Sequence, residues 1–156
     1  MNAHGRVVIG IDPGTLCGWA VLDAQGTRLA SGFWDLRPRR YEGAGMRFVR
    51  LRRHLGELLA GYPEAAVELV YEEVRHHAGT DAAHIYGGIV AVLQEWCEGA
   101  KVPYDAVPVG TVKKHATGKG NADKAAMVAA AASHWRIEPS EDEADALWVA
   151  ETWRAA

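Results

Sequence analysis

Four acids stand in this chain where the local pattern would hold a carboxylate still: Asp12, Glu72, Asp142 and Asp145. Asp12 closes the apolar run Val7-Val8-Ile9-Gly10-Ile11, and the Pro13-Gly14 turn signal after it ends a buried strand and exposes what precedes it. Glu72 closes a second run, Val67-Glu68-Leu69-Val70-Tyr71, with Glu73 beside it, and only one of the two can point to a given strand face. Asp142 and Asp145 are three apart in Ser140-Glu141-Asp142-Glu143-Ala144-Asp145 and share one helix face. Crowded into one cleft, such a quartet would repel itself, and its natural counterion is one or two hard divalent cations with oxygen ligands. That arrangement suits phosphodiester hydrolysis, in which two metals about 3.5–4 Å apart serve the attacking water, the phosphorus and the leaving oxygen.

Each acid also has an ordinary reading. An aspartate before Pro-Gly can simply bond the turn amides of residues such as Thr15. Ser140 and Glu143 form a capping box, and acids in a first helical turn are favoured by the dipole, so Asp142 fits helix-start chemistry. Glu72 fits an edge-strand charge. Asp145 lies a turn further in, beside Ala146, Leu147 and Trp148, and is harder to dismiss. The set carries the argument.

The acids need a scaffold, and periodicity supplies one. Strands over 7–11, 18–22 and 28–34, the last two joined by a turn at Asp23-Ala24-Gln25-Gly26, form a meander. Phe48, Leu51, Leu55, Leu58 and Leu59 recur at helical spacing, predicting a helix over 47–60 with its arginines outward, ended by Gly61-Tyr62-Pro63. The strand reaching Glu72 follows, then a loop through Arg75-His76-His77-Ala78-Gly79 and a helix over 82–97 capped by Asp81. A short strand over 104–107 and two helices over 125–134 and 141–153, split by Pro139, complete an α/β pattern with a five-stranded mixed sheet flanked by helices. We expect one domain over 1–156. No apolar run is long enough to span a bilayer and the opening Met-Asn-Ala-His-Gly-Arg has no apolar export segment, so a cytoplasmic location is expected. Cys17 and Cys97 lack metal-ligand spacing and read as reduced, semi-buried thiols.

The net charge of −3 argues against a protein that coats DNA indiscriminately, yet the cations are clustered. Arg37, Arg39, Arg40, Arg47, Arg50, Arg52 and Arg53 share their stretch with one acid, Glu42. Lys113, Lys114, Lys119 and Lys124, with His115, form a second run opposed by Asp123. A phosphate backbone responds to local charge within a Debye length, so DNA remains a candidate partner. A solvated helix face is the other reading of Arg47 and Arg50.

Four motifs then occur in order over residues 6–153: Ile11-Asp12-Pro13-Gly14-Thr15; Tyr71-Glu72-Glu73-Val74; Val112-Lys113-Lys114 leading through Gly118-Lys119-Gly120 to Lys124; and Asp142-x-x-Asp145-Ala146-Leu147. With these the chain resembles the RuvC family of Holliday junction resolvases, in a bacteriophage-type form. The resemblance implies an RNase H-like fold, a homodimer, and Mg²⁺-dependent symmetrical nicking of four-way DNA junctions in a bacterial cell or phage-infected host. It implies that Asp12 bridges two ions, with Mn²⁺ as a substitute metal, and that Glu72, Asp142 and Asp145 hold one or both. Glu72 is preferred to Glu73 because Val-Tyr-Glu matches the family's strand end. Lys124 matches a position near the scissile phosphate and Lys113 one that contacts backbone phosphate; Lys124 as a solvated helix-start lysine is the other reading. Lys114, Lys119, Arg75, His76, Arg47 and Arg50 complete the expected DNA-binding set.

One departure is visible. Many family members carry an aromatic shortly after the strand-end glutamate, where this chain has Arg75-His76-His77, residues that can also stack on bases. His76, His77 and His84 read as DNA-facing loop histidines rather than a metal cluster. For the dimer, the helix over 82–97 offers an apolar stripe of Ile85, Ile89, Val92 and Trp96, with Gly87 and Gly88 permitting close approach; a core-facing stripe is the alternative. Rival functions are an RNase H-type nuclease cutting RNA-DNA hybrids, and an actin-like or sugar-kinase ATPase, whose phosphate loop also opens with Asp-x-Gly-Thr. The latter needs a second such domain. A non-catalytic junction-binding module leaves the complete quartet without a use.

Overall fold

The first apolar run is central to a sheet, and that explains its unbroken hydrophobicity. In the computed structural model, which describes residues 5–156, β1 (Arg6–Asp12) pairs antiparallel with β2 (Leu16–Asp23) and parallel with β4 (Ala66–Glu73). The outer strands are β3 (Arg28–Asp35), antiparallel to β2, and β5 (Tyr104–Pro108), parallel to β4, giving the five-stranded order β3-β2-β1-β4-β5. Residues 1–4, on which the expectation about an export segment partly rests, lie outside the described chain.

Alternation along β1 serves two cores. Val7, Ile9 and Ile11 point to one face, where Leu51 and Leu55 of α1 (Met46–Ala60) and Ile89, Leu93 and Cys97 of α2 (Thr80–Ala100) meet them. Val8 and Val70 point to the other, against Val112 of α3 (Val109–Thr117), Met127 and Ala131 of α4 (Lys124–Trp135), and Ala144, Leu147 and Trp148 of α5 (Glu141–Ala155). Gly10 shares this second face, and α5 packs so closely there that an added Cβ would come 2.8 Å from that of Ala150. The capping box forms as expected, with Ser140 Oγ accepting from the Glu143 amide. Both cysteines are free and buried. Among the described residues no helix is long and apolar enough to cross a membrane.

Four expectations need correction. The α3 helix was not foreseen, since it has only nine residues and only Val112 of them is buried. Asp81 does not cap α2: the cap position is Gly79, and Asp81 lies in the first turn. The arginines of α1 are not all outward, because Arg50 is buried and its guanidinium is held by Glu42. The α2 stripe faces its own chain: Ile89 is fully buried, and a Cβ on Gly88 would press to 2.8 Å from the Phe48 ring of α1.

Candidate active site

Parallel pairing of β1 with β4 brings their carboxyl ends to the same sheet edge, with Ile11 opposite Tyr71, so Asp12 and Glu72 emerge side by side. The pleat decides which glutamate faces inward. Glu72 follows Val70 by two and shares its face with Gly10 and Asp12, whereas Glu73 points the other way and takes Arg75, whose Nε lies 2.9 Å from Oε1. The first turn of α5 closes the group. It sits directly on Gly18 of β2, where any Cβ would overlap the Asp142 carbonyl.

Asp12, Glu72 and Asp145 thereby offer oxygens that all lie within 4.8 Å of one another, and Asp142 lines the same cleft beside them. The acids form the floor of a cleft of about 630 Å³, also lined by Thr15, His76, Lys113 and Lys124. Burial, then the charges of Asp145, Glu72 and Asp142, holds the Asp12 carboxyl well above its usual range. Burial first and Asp145 second push Glu72 up to about 7, against the pull of Lys113 and Lys124. Asp145 is pushed up to about 6, mainly by burial and, against Lys124, by Asp142. Burial also raises Asp142, opposed by Lys124. Partial burial disfavours the Lys124 charge, but Asp145, Glu141, Asp12 and Asp142 together outweigh it and raise its pKa. Its Nζ lies 3.7 Å from Glu141 at the rim, so it does not neutralise the floor. A group of carboxylates this short of positive charge, with oxygen donors only, fits hard divalent cations.

The same imbalance predicts how the metal-free protein responds to pH. Glu72, raised to about 7 from 4.5, and Asp145, raised to about 6 from 3.8, keep their protons in the folded state after the unfolded chain has lost them. The stability is therefore fully present below the unfolded values and is lost as pH rises through about 6 to 7. Each tenfold change in a group's proton affinity on folding is worth about 1.4 kcal/mol. Thermal unfolding in EDTA should show Tm falling by several degrees between about pH 5 and pH 8, with an added divalent cation removing most of the fall. A Tm in EDTA that is flat across this window would contradict the arrangement.

The other anticipated residues divide. His76 and Lys113 line the cleft with the acids, while Arg75 is exposed and paired with Glu73. Lys114 lines a separate hollow with His115 and Thr152, and Lys119 is exposed beyond the end of α3. Arg47 is half-buried and Arg50 is buried with one guanidinium nitrogen held by Glu42, so neither extends freely to a phosphate. Tyr86 was missed. Its hydroxyl donates to the Glu72 carbonyl (2.9 Å) and accepts from the Val74 amide (3.0 Å), bracing the strand end that carries the glutamate. No local sequence signal marks a helix tyrosine that reaches back to a strand.

Strand order and the acids gathered at the strand ends place the chain among RNase H-like nucleases. Within that class it belongs to the RuvC family: the family model for crossover junction endodeoxyribonuclease RuvC matches residues 8–153. The chain is 34% identical over 157 residues to the crossover junction endodeoxyribonuclease RuvC of Sorangium cellulosum, covering 96% of this chain and 84% of that one. It is 35% identical over 153 residues to the protein of that name from Azorhizobium caulinodans, covering 93% and 87%. The structure of T. thermophilus RuvC in complex with Holliday junction substrate superposes with a TM-score of 0.80 at 26% identity, covering 94% of this chain and 92% of that one. A second Thermus thermophilus RuvC structure gives 0.77 at 25% identity, with the same coverage.

Proposed function

We propose that this protein resolves four-way DNA junctions by paired hydrolysis of phosphodiesters, with Mg²⁺ as its metal, acting as a homodimer in the cytoplasm. The observation that carries this reading is the cleft in which Asp12, Glu72 and Asp145 converge between Lys113 and Lys124. Asp12, Glu72, Asp142 and Asp145 would hold the metal. When bound, it would supply a lowered pKa for the attacking water and neutralisation of the charge gathering on the phosphate. Lys113 and Lys124, from α3 and α4, draw the DNA backbone over acids that would otherwise repel it. The Tyr86 brace fixes the depth at which Glu72 enters the cleft.

The test is incubation with a labelled four-way junction, the matching duplex and an RNA-DNA hybrid, each with Mg²⁺, Mn²⁺ or EDTA. Junction cleavage that requires the metal and exceeds duplex cleavage supports the reading, and preference for the hybrid replaces it with an RNase H-type activity. A four-way junction has two-fold symmetry, and paired nicks on opposing strands need two sites related by a C2 axis. Light scattering at micromolar concentration should therefore give the dimer mass. Gly88→Glu is not an interface probe, because it strikes Phe48 inside the same chain.

Lys124 has its own expected result. As a charge poised over developing negative charge, its loss in Lys124→Ala should lower the single-turnover cleavage rate about 10²-fold and the junction affinity far less. Equal losses in rate and affinity would make it only another phosphate contact.

A further inference from the structure

The segment between β3 and α1 takes no part in the chemistry of the cleft, yet it is built with care. Leu36 is fully buried, and its amide donates to the carbonyl of Thr15 (2.8 Å), so the segment leaves the fold at the cleft's own wall. Residues 39–42 then close a tight turn in which the Glu42 amide donates to the Arg39 carbonyl (3.0 Å). Glu42 Oε1 accepts from the Arg39 amide (2.7 Å), and its other oxygen takes the guanidinium of buried Arg50. Arg50 is thus the anchor of this turn.

The turn presents Arg40 and Tyr41 at its two central positions. Tyr41 is 89% exposed, and the guanidinium carbon of Arg40 lies 5.2 Å from its ring centroid, covering one face and leaving the other open. Arg37 is held by Asp35, but among the described residues neither Arg39 nor Arg40 meets a carboxylate through its side chain. Burial does not explain a tyrosine held in water on a pinned turn. An aromatic face with free cations beside it is the equipment of a stacking platform for nucleobases, with the cations on the adjoining phosphates.

In an intact duplex every base is already stacked on both sides, so the platform requires an unpaired one. We infer that Tyr41 stacks on an unpaired nucleobase of the DNA substrate, while Arg39 and Arg40 contact the flanking phosphates. The inference rests on the junction-resolving reading above, and it assigns to this turn the contact with bases freed where strands exchange.

The experiment uses the full chain in EDTA, titrated into four-way junctions carrying 2-aminopurine at successive positions around the crossover, and into the matching duplex. Wild-type protein should change the fluorescence of at least one position next to the crossover. Tyr41→Ala should abolish that change and weaken junction affinity about tenfold, with much less effect on duplex affinity. Tyr41→Phe should retain both, and Tm should match wild type in both variants because the ring is exposed. The double variant Arg39→Ala/Arg40→Ala should reduce the slope of log affinity against log salt by about two. Fluorescence and affinity in Tyr41→Ala equal to wild type at every labelled position would overturn the assignment of the ring. A wild-type protein with no preference for junction over duplex would overturn the junction reading itself.

Discussion

Asp145→Asn and Glu72→Gln should each lower junction cleavage on the order of 10³-fold or more while leaving junction binding in EDTA as tight as wild type or tighter. The substitutions keep the shape of the side chain and remove one anionic oxygen ligand from a group whose oxygens lie within 4.8 Å of one another. Each also removes a negative charge from a cleft floor that repels phosphate, so affinity without metal should not fall. Stability provides an internal control. Because burial and mutual repulsion raise the pKa of both carboxyls, replacing either with an amide relieves the metal-free fold, and Tm in EDTA at about pH 8 should rise. Loss of cleavage with gain of stability separates a removed ligand from a damaged fold. Retained cleavage in both variants would remove these acids from the site.

The positions of Asp12, Glu72 and α5 were legible because each rests on a local pattern that tertiary structure does not override. Asp12 is fixed by an apolar run and a Pro-Gly break, and the start of α5 by Ser140 and Glu143. Even the choice of Glu72 over Glu73 follows from the pleat once Val8, Gly10 and Val70 are known to face α5. What could not be read depends on partners distant in sequence. Arg50 has the same chemistry and helical spacing as a solvated arginine, and only the return of Glu42 over the helix shows that it is buried and engaged. The α2 stripe looks alike whether it meets another chain or Phe48 of its own. α3 is too short to announce itself, with nine residues of which only Val112 is buried, although Pro108 before it and Gly118 after it, with φ of 85°, mark its ends.

Gly18→Ala should lower Tm by about 5 °C or more and cut cleavage at least about 10²-fold, although it adds a single methyl group. In an ordinary strand interior, replacing glycine by alanine is mildly stabilising, because it restricts the unfolded chain and restores strand propensity. Space reverses the sign here. Gly18 lies near the start of β2, opposite Asp12 in the ladder, and its missing Cβ is occupied by the backbone of Asp142, whose Cα would stand 3.2 Å from the new atom and whose carbonyl would overlap it. Backbone cannot rotate out of the way as a flexible side chain can, so the first turn of α5 must lift from the sheet. Asp142 lies on that turn and Asp145 at its end, and their displacement separates them from Asp12, where a shift of about 1 Å costs on the order of 10²-fold in rate. Gly43→Ala, where an added Cβ meets nothing within 4 Å, provides the contrast and should leave both readouts near wild type. If Gly18→Ala kept wild-type Tm and cleavage, α5 would have to be seated on some other element, and the geometry of the acid group would need to be redrawn.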